Sequence, residues 1–169
     1  MVLYRIQPAN LMFALLFLIS AVSVDQFTKT VMIDIVMQPP RVIPITSFFN
    51  LVLSYNEGVS FGLFADFFRS RPGVLIALLS VIATVVVAWA AVAKKRTEAV
   101  GLGLIAGGAI GNIIDRLQRG AVTDFIDLHL TGWHWPAFNF ADVAIVGGTA
   151  LLATTSFLSA SASDTQTRP

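Results

Sequence analysis

Gly73-Val-Leu-Ile-Ala-Leu-Leu-Ser-Val-Ile-Ala-Thr-Val-Val-Val-Ala-Trp-Ala-Ala-Val-Ala93 carries no charged residue along its whole length. A helix needs about 20 consecutive apolar residues to cross the hydrocarbon core of a bilayer, so this run predicts a spanning helix. Three more apolar stretches flank it: Leu11–Val24, continuing through Asp25 and Lys29; Ala99–Ile114; and Phe138 to about Ala160. The whole chain agrees with that reading. Its 169 residues are 56% hydrophobic and only 12% charged, against roughly 25% charged in an average soluble chain. Its mean hydropathy is +0.77.

The expected fold class is therefore an all-α membrane protein. Four transmembrane helices, over about 9–29, 73–93, 99–115 and 139–160, would carry a small extracytoplasmic β-cradle over about 41–63. Residues 1–160 form one membrane domain, and 161–169 read as a disordered cytoplasmic tail. Arg5 and Ala21-Val-Ser23 around the first apolar run resemble a cleavable signal. Asp25 and Lys29, one helical turn apart, instead extend that run as an internally paired turn, so an uncleaved first span is expected. Lys94-Lys95-Arg96 sits in the tight connection between the second and third spans, with Arg5 and Arg168 near the ends. The positive-inside rule places these in the cytoplasm and sends segments 30–72 and 116–137 to the other side.

A net charge of +1 gives no reason to expect a nucleic-acid partner, and zero cysteines exclude thiol nucleophiles, disulfides and thiolate metal sites. On the outer side, the alternating segment from Arg41 to Tyr55 predicts strand. Asn56-Glu57-Gly58 supplies a turn, and Ser60-Phe-Gly62 resumes the strand. An irregular loop is the alternative. Phe48, Phe49, Tyr55 and Phe61 would dip towards lipid, with Trp133 and Trp135 as interfacial anchors.

Polar residues at the outer helix ends carry the chemistry. Gly103, Gly107 and Gly111 recur at the four-residue interval that lets helices approach closely in lipid. This brings Asn112, Asp115 and Arg116 at the end of that helix near its neighbours. Asp115 could neutralise Lys29 while Arg116 points at substrate or at a carboxylate. Asn139 can cap the fourth span, whereas the dipole benefit of about 0.3–1 kcal/mol does not by itself explain a buried Asp142. Asp124 lies in an apolar bracket of Val122 and Phe125-Ile126. If Asp124 and Asp142 converge, one keeps its proton and the other can activate water, the arrangement of an aspartyl protease. Asn56, Asn112, Asn139 and Arg116 are candidate donors to a substrate backbone or oxyanion. Rival readings remain: a metal site from Asp124, Asp127, His129, His134 and Asp142, although no HExxH-like spacing is present; a transporter or proton pathway; or a purely structural set of polar residues.

These segments together resemble the bacterial lipoprotein signal peptidase family (signal peptidase type II). The motifs are Val24-Asp-Gln-Phe-Thr-Lys29, Tyr55-Asn-Glu-Gly-Val-Ser-Phe-Gly62, Gly107-Gly-Ala-Ile-Gly-Asn-Ile-Ile-Asp-Arg116, Val122-Thr-Asp-Phe125 and Pro136-Ala-Phe-Asn-Phe-Ala-Asp142. The resemblance implies a multi-pass enzyme of the bacterial inner membrane with its active site on the extracytoplasmic, periplasmic side. Its substrate would be a diacylglyceryl-modified prolipoprotein, cut before the lipobox cysteine, and globomycin-type inhibitors would act on it. By motif, Asp124 and Asp142 match the catalytic pair. Asn56, Gly58, Asn112, Arg116 and Asn139 match substrate-site residues, and Asp25, Lys29 and Asp115 match structural polar positions. No cofactor or metal is implied. Glu57, Val59 and Ser60 depart from the small or differently polar residues common in the family's loop, and Glu57 adds a negative charge near the site.

Overall fold

A computed structural model describes residues 5–58 and 65–166. Four of its helices are long and apolar enough to cross a membrane. Helix α1 (Pro8–Val31) starts with Pro8 in its first turn, where a missing N–H costs nothing, and runs on into a π-helical turn at Met32–Val36. After two strands and a short helix α2 (Ala65–Arg69), α3 spans Pro72–Val92, α4 Arg96–Arg119 and α5 Phe140–Gln166. All four spans fall where the apolar runs predict them. Helix α5 continues past Ala160, however, so the expected disordered tail is helical as far as Gln166.

Helix α4 is the centre of the bundle. Half of its span is buried, against 11–17% for the other three, and it packs on α1, α3 and α5. Its glycines make this possible on two faces. Gly103, Gly107 and Gly111 meet α1, and a Cβ placed on Gly107 would lie 2.6 Å from the Leu18 carbonyl oxygen. Gly101 and Gly108 meet α5. The small-residue spacing thus serves packing, as expected, and it draws α1 and α5 to two adjoining faces of the same helix, where they also touch each other. Ala14, Ala90, Ala93, Ala99 and Leu102 close the end of the bundle that carries the Lys94–Arg96 turn.

At the other end sits a four-stranded antiparallel sheet in the order β1 (Ile43–Thr46), β2 (Phe49–Asn56), β3 (Val122–Leu130), β4 (Trp133–His134). The first two strands lie inside the expected cradle, and Ser60–Gly62, including Phe61, falls outside the described residues. The other two strands come from segment 116–137, for which the sequence reading made no strand assignment. Phe48 and Tyr55 are exposed, as are Trp133 and Trp135. The register slips by one residue between Leu51↔Ile126 and Ser54↔Asp124, a bulge opposite Phe125. The Phe125 and Ile126 amides both donate to the Phe138 carbonyl, which ties β3 to the approach of α5. Bulges commonly re-aim side chains next to functional sites; this one lies beside Asp124.

Candidate active site

The site begins where α4 ends. Gly120 takes a left-handed conformation (φ +78°), which a side chain would strain, and its N–H donates to Arg116 O. The chain then turns directly into β3. Asp115, fully buried, secures that turn by accepting from the Thr123 amide at 2.8 Å and pairing with Arg119 at 2.8 Å. Asp124, next in the chain, is thereby fixed at the rim of the bundle and is 4% exposed.

Asp142 arrives from α5 through a reciprocal cap. The Asp142 amide donates to Asn139 Oδ1 at 3.1 Å, while the Asn139 amide donates to Asp142 Oδ2 at 3.3 Å. This is a capping box in which asparagine and aspartate take the usual places of serine or threonine and glutamate. The cap expected at Asn139 is present, and Asp142 completes it, a role the sequence reading did not assign. The same asparagine reaches the other carboxylate: Asn139 Nδ2 donates to Asp124 Oδ1 at 2.6 Å. One buried asparagine therefore holds both carboxylates, Asp124 through its side chain and Asp142 through its backbone N–H.

A second asparagine reinforces the arrangement. Asn112 Nδ2 donates to Asp142 Oδ1 at 3.0 Å, and Asn112 Oδ1 accepts from Lys29 Nζ at 3.0 Å and from Asn139 Nδ2 at 3.3 Å. Lys29, 0% exposed in the middle of a membrane protein, is neutralised by Asp25 at 2.9 Å and Asp115 at 3.1 Å. Asp25 in turn accepts from the Ala141 amide at the start of α5. The pairing of Asp115 with Lys29 is the one the sequence suggested.

Asn56, Asn112, Arg116, Asp124 and Asp142 all line one cavity of about 620 Å³. Its remaining walls are largely apolar, with Leu79, Leu128, Trp135, Val143 and Val146 among them. Arg116 donates to the Asn112 and Gly58 carbonyls through its two terminal nitrogens, and its buried Nε has no partner among the described residues. Gly58 is buried, and its amide bonds Asn56 Oδ1 at 3.0 Å. The residues expected to face a substrate therefore divide. The NH₂ groups of Asn112 and Asn139 are occupied by carboxylates, whereas Arg116 keeps one donor available.

Burial pushes the Asp124 carboxyl up to about 7, and the neighbouring Asp142 charge adds to the rise; hydrogen bonds from Asn139 and Asn56 and the Lys29 charge oppose it. A carboxylic acid that holds its proton near neutrality can donate a hydrogen bond as well as accept one.

The proposed metal ligands do not assemble. Asp127 bonds Asn50 Nδ2 and His134 Nδ1, each at 2.8 Å, across β2, β3 and β4. Burial would raise Asp127, but the His134 and Asn50 hydrogen bonds outweigh it and hold the group below its ordinary value. Among the described residues no three His, Asp or Glu side chains converge as a metal site would require. Asn50 was not singled out from the sequence. Its strand alternation predicts one buried face, but nothing local marks its partner 77 residues away.

Two solved structures share this architecture, both described as bacterial membrane enzymes. One aligns with a TM-score of 0.76 at 26% identity over 88% of this chain and 89% of its own. The other aligns with a TM-score of 0.70 at 26% identity over 84% and 90%. Bundle, sheet and recessed polar centre thus place the protein in the class of multi-pass membrane enzymes. The family model for signal peptidase (SPase) II matches residues 17–158. Similar chains include the lipoprotein signal peptidases of Rhodopseudomonas palustris (strain TIE-1), 40% identical over 84% of this chain and 90% of the relative; and of Methylobacterium sp. (strain 4-46), 39% identical over 86% and 88%. That of Francisella tularensis subsp. novicida (strain U112) is 37% identical over 78% and 83%. The chain belongs to the signal peptidase II family.

Proposed function

We propose that this protein is an aspartyl endopeptidase that removes the signal peptide from diacylglyceryl-modified prolipoproteins, cutting before the lipobox cysteine. The observation that carries the reading is the Asn139 bridge: two carboxylates 18 residues apart are held by one buried residue, Asp124 by its side-chain NH₂ and Asp142 by its backbone N–H, at the polar rim of an apolar cavity. Family membership supplies the substrate class.

Asp124 enters the cycle protonated and Asp142 ionised. Asp142 takes a proton from a water molecule as that water attacks the scissile carbonyl carbon, and Asp124 gives its proton to the carbonyl oxygen. When the resulting diol collapses, the C–N bond breaks. The leaving cysteine amine takes the proton held by Asp142, and Asp124 recovers its own from the hydroxyl. Arg116 Nε, buried and without a partner among the described residues, is placed to donate to a substrate carbonyl. The apolar walls receive the hydrophobic signal segment or acyl chains, and the adjacent bilayer presents a substrate already anchored in it.

The site lies towards the end of α4 opposite Lys94–Arg96: Asn112 and Arg116 stand about 24–30 Å along the helix from Arg96. With the basic turn in the cytoplasm, the chemistry faces the periplasmic or extracytoplasmic side of the bacterial inner membrane. Globomycin-type peptides would compete for the same cavity.

Purified protein incubated with a diacylglyceryl-modified precursor should produce a mobility shift and a product beginning at cysteine, and EDTA should leave the rate unchanged. An uncut precursor under conditions where a characterised family member cuts it, or zinc-reversible inhibition by EDTA, would contradict the reading.

A further inference from the structure

Lys29 lies outside the cavity lining yet is one residue removed from the carboxylates. An ammonium group can only donate and a carboxylate can only accept, so an asparagine between them has one satisfactory orientation. Lys29 Nζ donates to Asn112 Oδ1 at 3.0 Å, and Asn112 Nδ2 faces Asp142 Oδ1 at 3.0 Å. If the amide turned over, its oxygen would oppose the carboxylate and its NH₂ would oppose the ammonium. Asn139 Nδ2 also reaches Asn112 Oδ1, at 3.3 Å, but as a neutral donor already committed to Asp124 at 2.6 Å. The charge-assisted bond from Lys29 is the stronger constraint.

We infer that Lys29 is a positioning residue for the reaction: through Asn112 it fixes the orientation of the Asp142 carboxylate. This deepens the proposed peptidase function and rests on it. It also assigns a use to a buried cation that two aspartates alone would neutralise. Asp25 and Asp115 supply that neutralisation, and each has a further structural bond, to the Ala141 and Thr123 amides. Only the third ammonium donor points towards the chemistry. The charged groups acting on Asp124 are Asp142 from α5, Lys29 from α1 and Arg116 from α4.

The test compares Lys29→Met with Asp25→Asn, two changes that break the same buried ion pair. Both should lower thermal stability. Lys29→Met should in addition reduce kcat on the order of 10²-fold, the scale of a small misplacement of a reacting group, with KM within about threefold. Its alkaline limb should move to higher pH, because removing a positive charge favours the protonated form of Asp124. Asp25→Asn, which leaves Lys29 able to reach Asn112, should keep kcat within about threefold. If Lys29→Met fails to insert, the double variant Asp25→Asn/Lys29→Met removes the buried pair together, a replacement that cores often tolerate, and it should show the same kcat loss. Wild-type kcat in a folded Lys29 variant would overturn the inference. So would equal losses in Lys29→Met and Asp25→Asn with an unshifted pH limb. If Asp124→Asn and Asp142→Asn are inactive while Lys29→Met is unimpaired, the positioning role alone fails; if the aspartate variants still cut, the peptidase reading fails.

Discussion

Asp124 and Asp142 are both carboxylates, but their surroundings separate them. Asp124 is enclosed on a strand and pushed up to about 7 by burial and by the charge of its neighbour. Asp142 accepts two hydrogen bonds at the start of a helix, where the dipole also favours negative charge. Because the proposed cycle needs one proton on the pair, turnover should fall as pH rises through about 7, which a pH–kcat profile on a single precursor would display. Stability follows the same group. Its folded pKa lies above its unfolded value of 3.8, so the folded state binds the extra proton between 3.8 and about 7 and loses stability as pH rises through that window. Asp124→Asn should therefore raise the melting temperature more at pH 8 than at pH 5; an equal gain at both would argue against a buried, ionising Asp124. Both aspartates were legible in the sequence because an acidic residue among apolar neighbours needs an explanation. The shared Asn139 bridge was only half legible. Its capping position shows in the sequence, but a hydrogen bond to Asp124, 15 residues earlier, depends on how the strand and helix meet.

The elements that bring these residues together are α4 and β3. Helix α4 acts as a narrow post because its glycines carry no side chain where α1 and α5 cross it. Gly107→Ala would place a Cβ 2.6 Å from a backbone oxygen of α1 and 2.8 Å from Ala21 Cβ. It should cost about 1–3 kcal/mol, the range of overpacking changes, and widen the gap that Lys29 bridges. Gly73→Ala, at a helical position with nothing within 4 Å, should be neutral or stabilising by up to about 1 kcal/mol. Melting curves of the two purified variants check the contrast. The α4 glycine spacing could be read directly. Strand β3 could not: Val122-Thr-Asp-Phe-Ile-Asp lacks clean alternation because Asp124, Phe125 and Asp127 are all buried. Strand β2, followed by the Asn56-Glu57-Gly58 turn signal, could be read although its burial does not alternate cleanly.

For the molecule as a whole, the four spans were the most legible feature, since bilayer thickness fixes their length and composition. The polar end was the least legible, because it is built from long-range contacts among β2, β3, α1, α4 and α5. Orientation can be tested without altering the site. With no native cysteine, single substitutions Lys95→Cys and Thr131→Cys can be labelled in intact cells by a small, membrane-impermeant maleimide. Labelling at 131 and not at 95 is expected; the reverse would place the site in the cytoplasm, away from exported precursors.

The central claim is that two aspartates act as one proton-sharing unit on a water molecule. Its most direct measurement is the single-turnover rate of purified Asp124→Asn and Asp142→Asn on a diacylglyceryl-modified precursor, with folding of each variant checked by thermal melt. Both variants should remain folded and show no cleavage above background. Cleavage at a rate near wild type by either folded variant would contradict it.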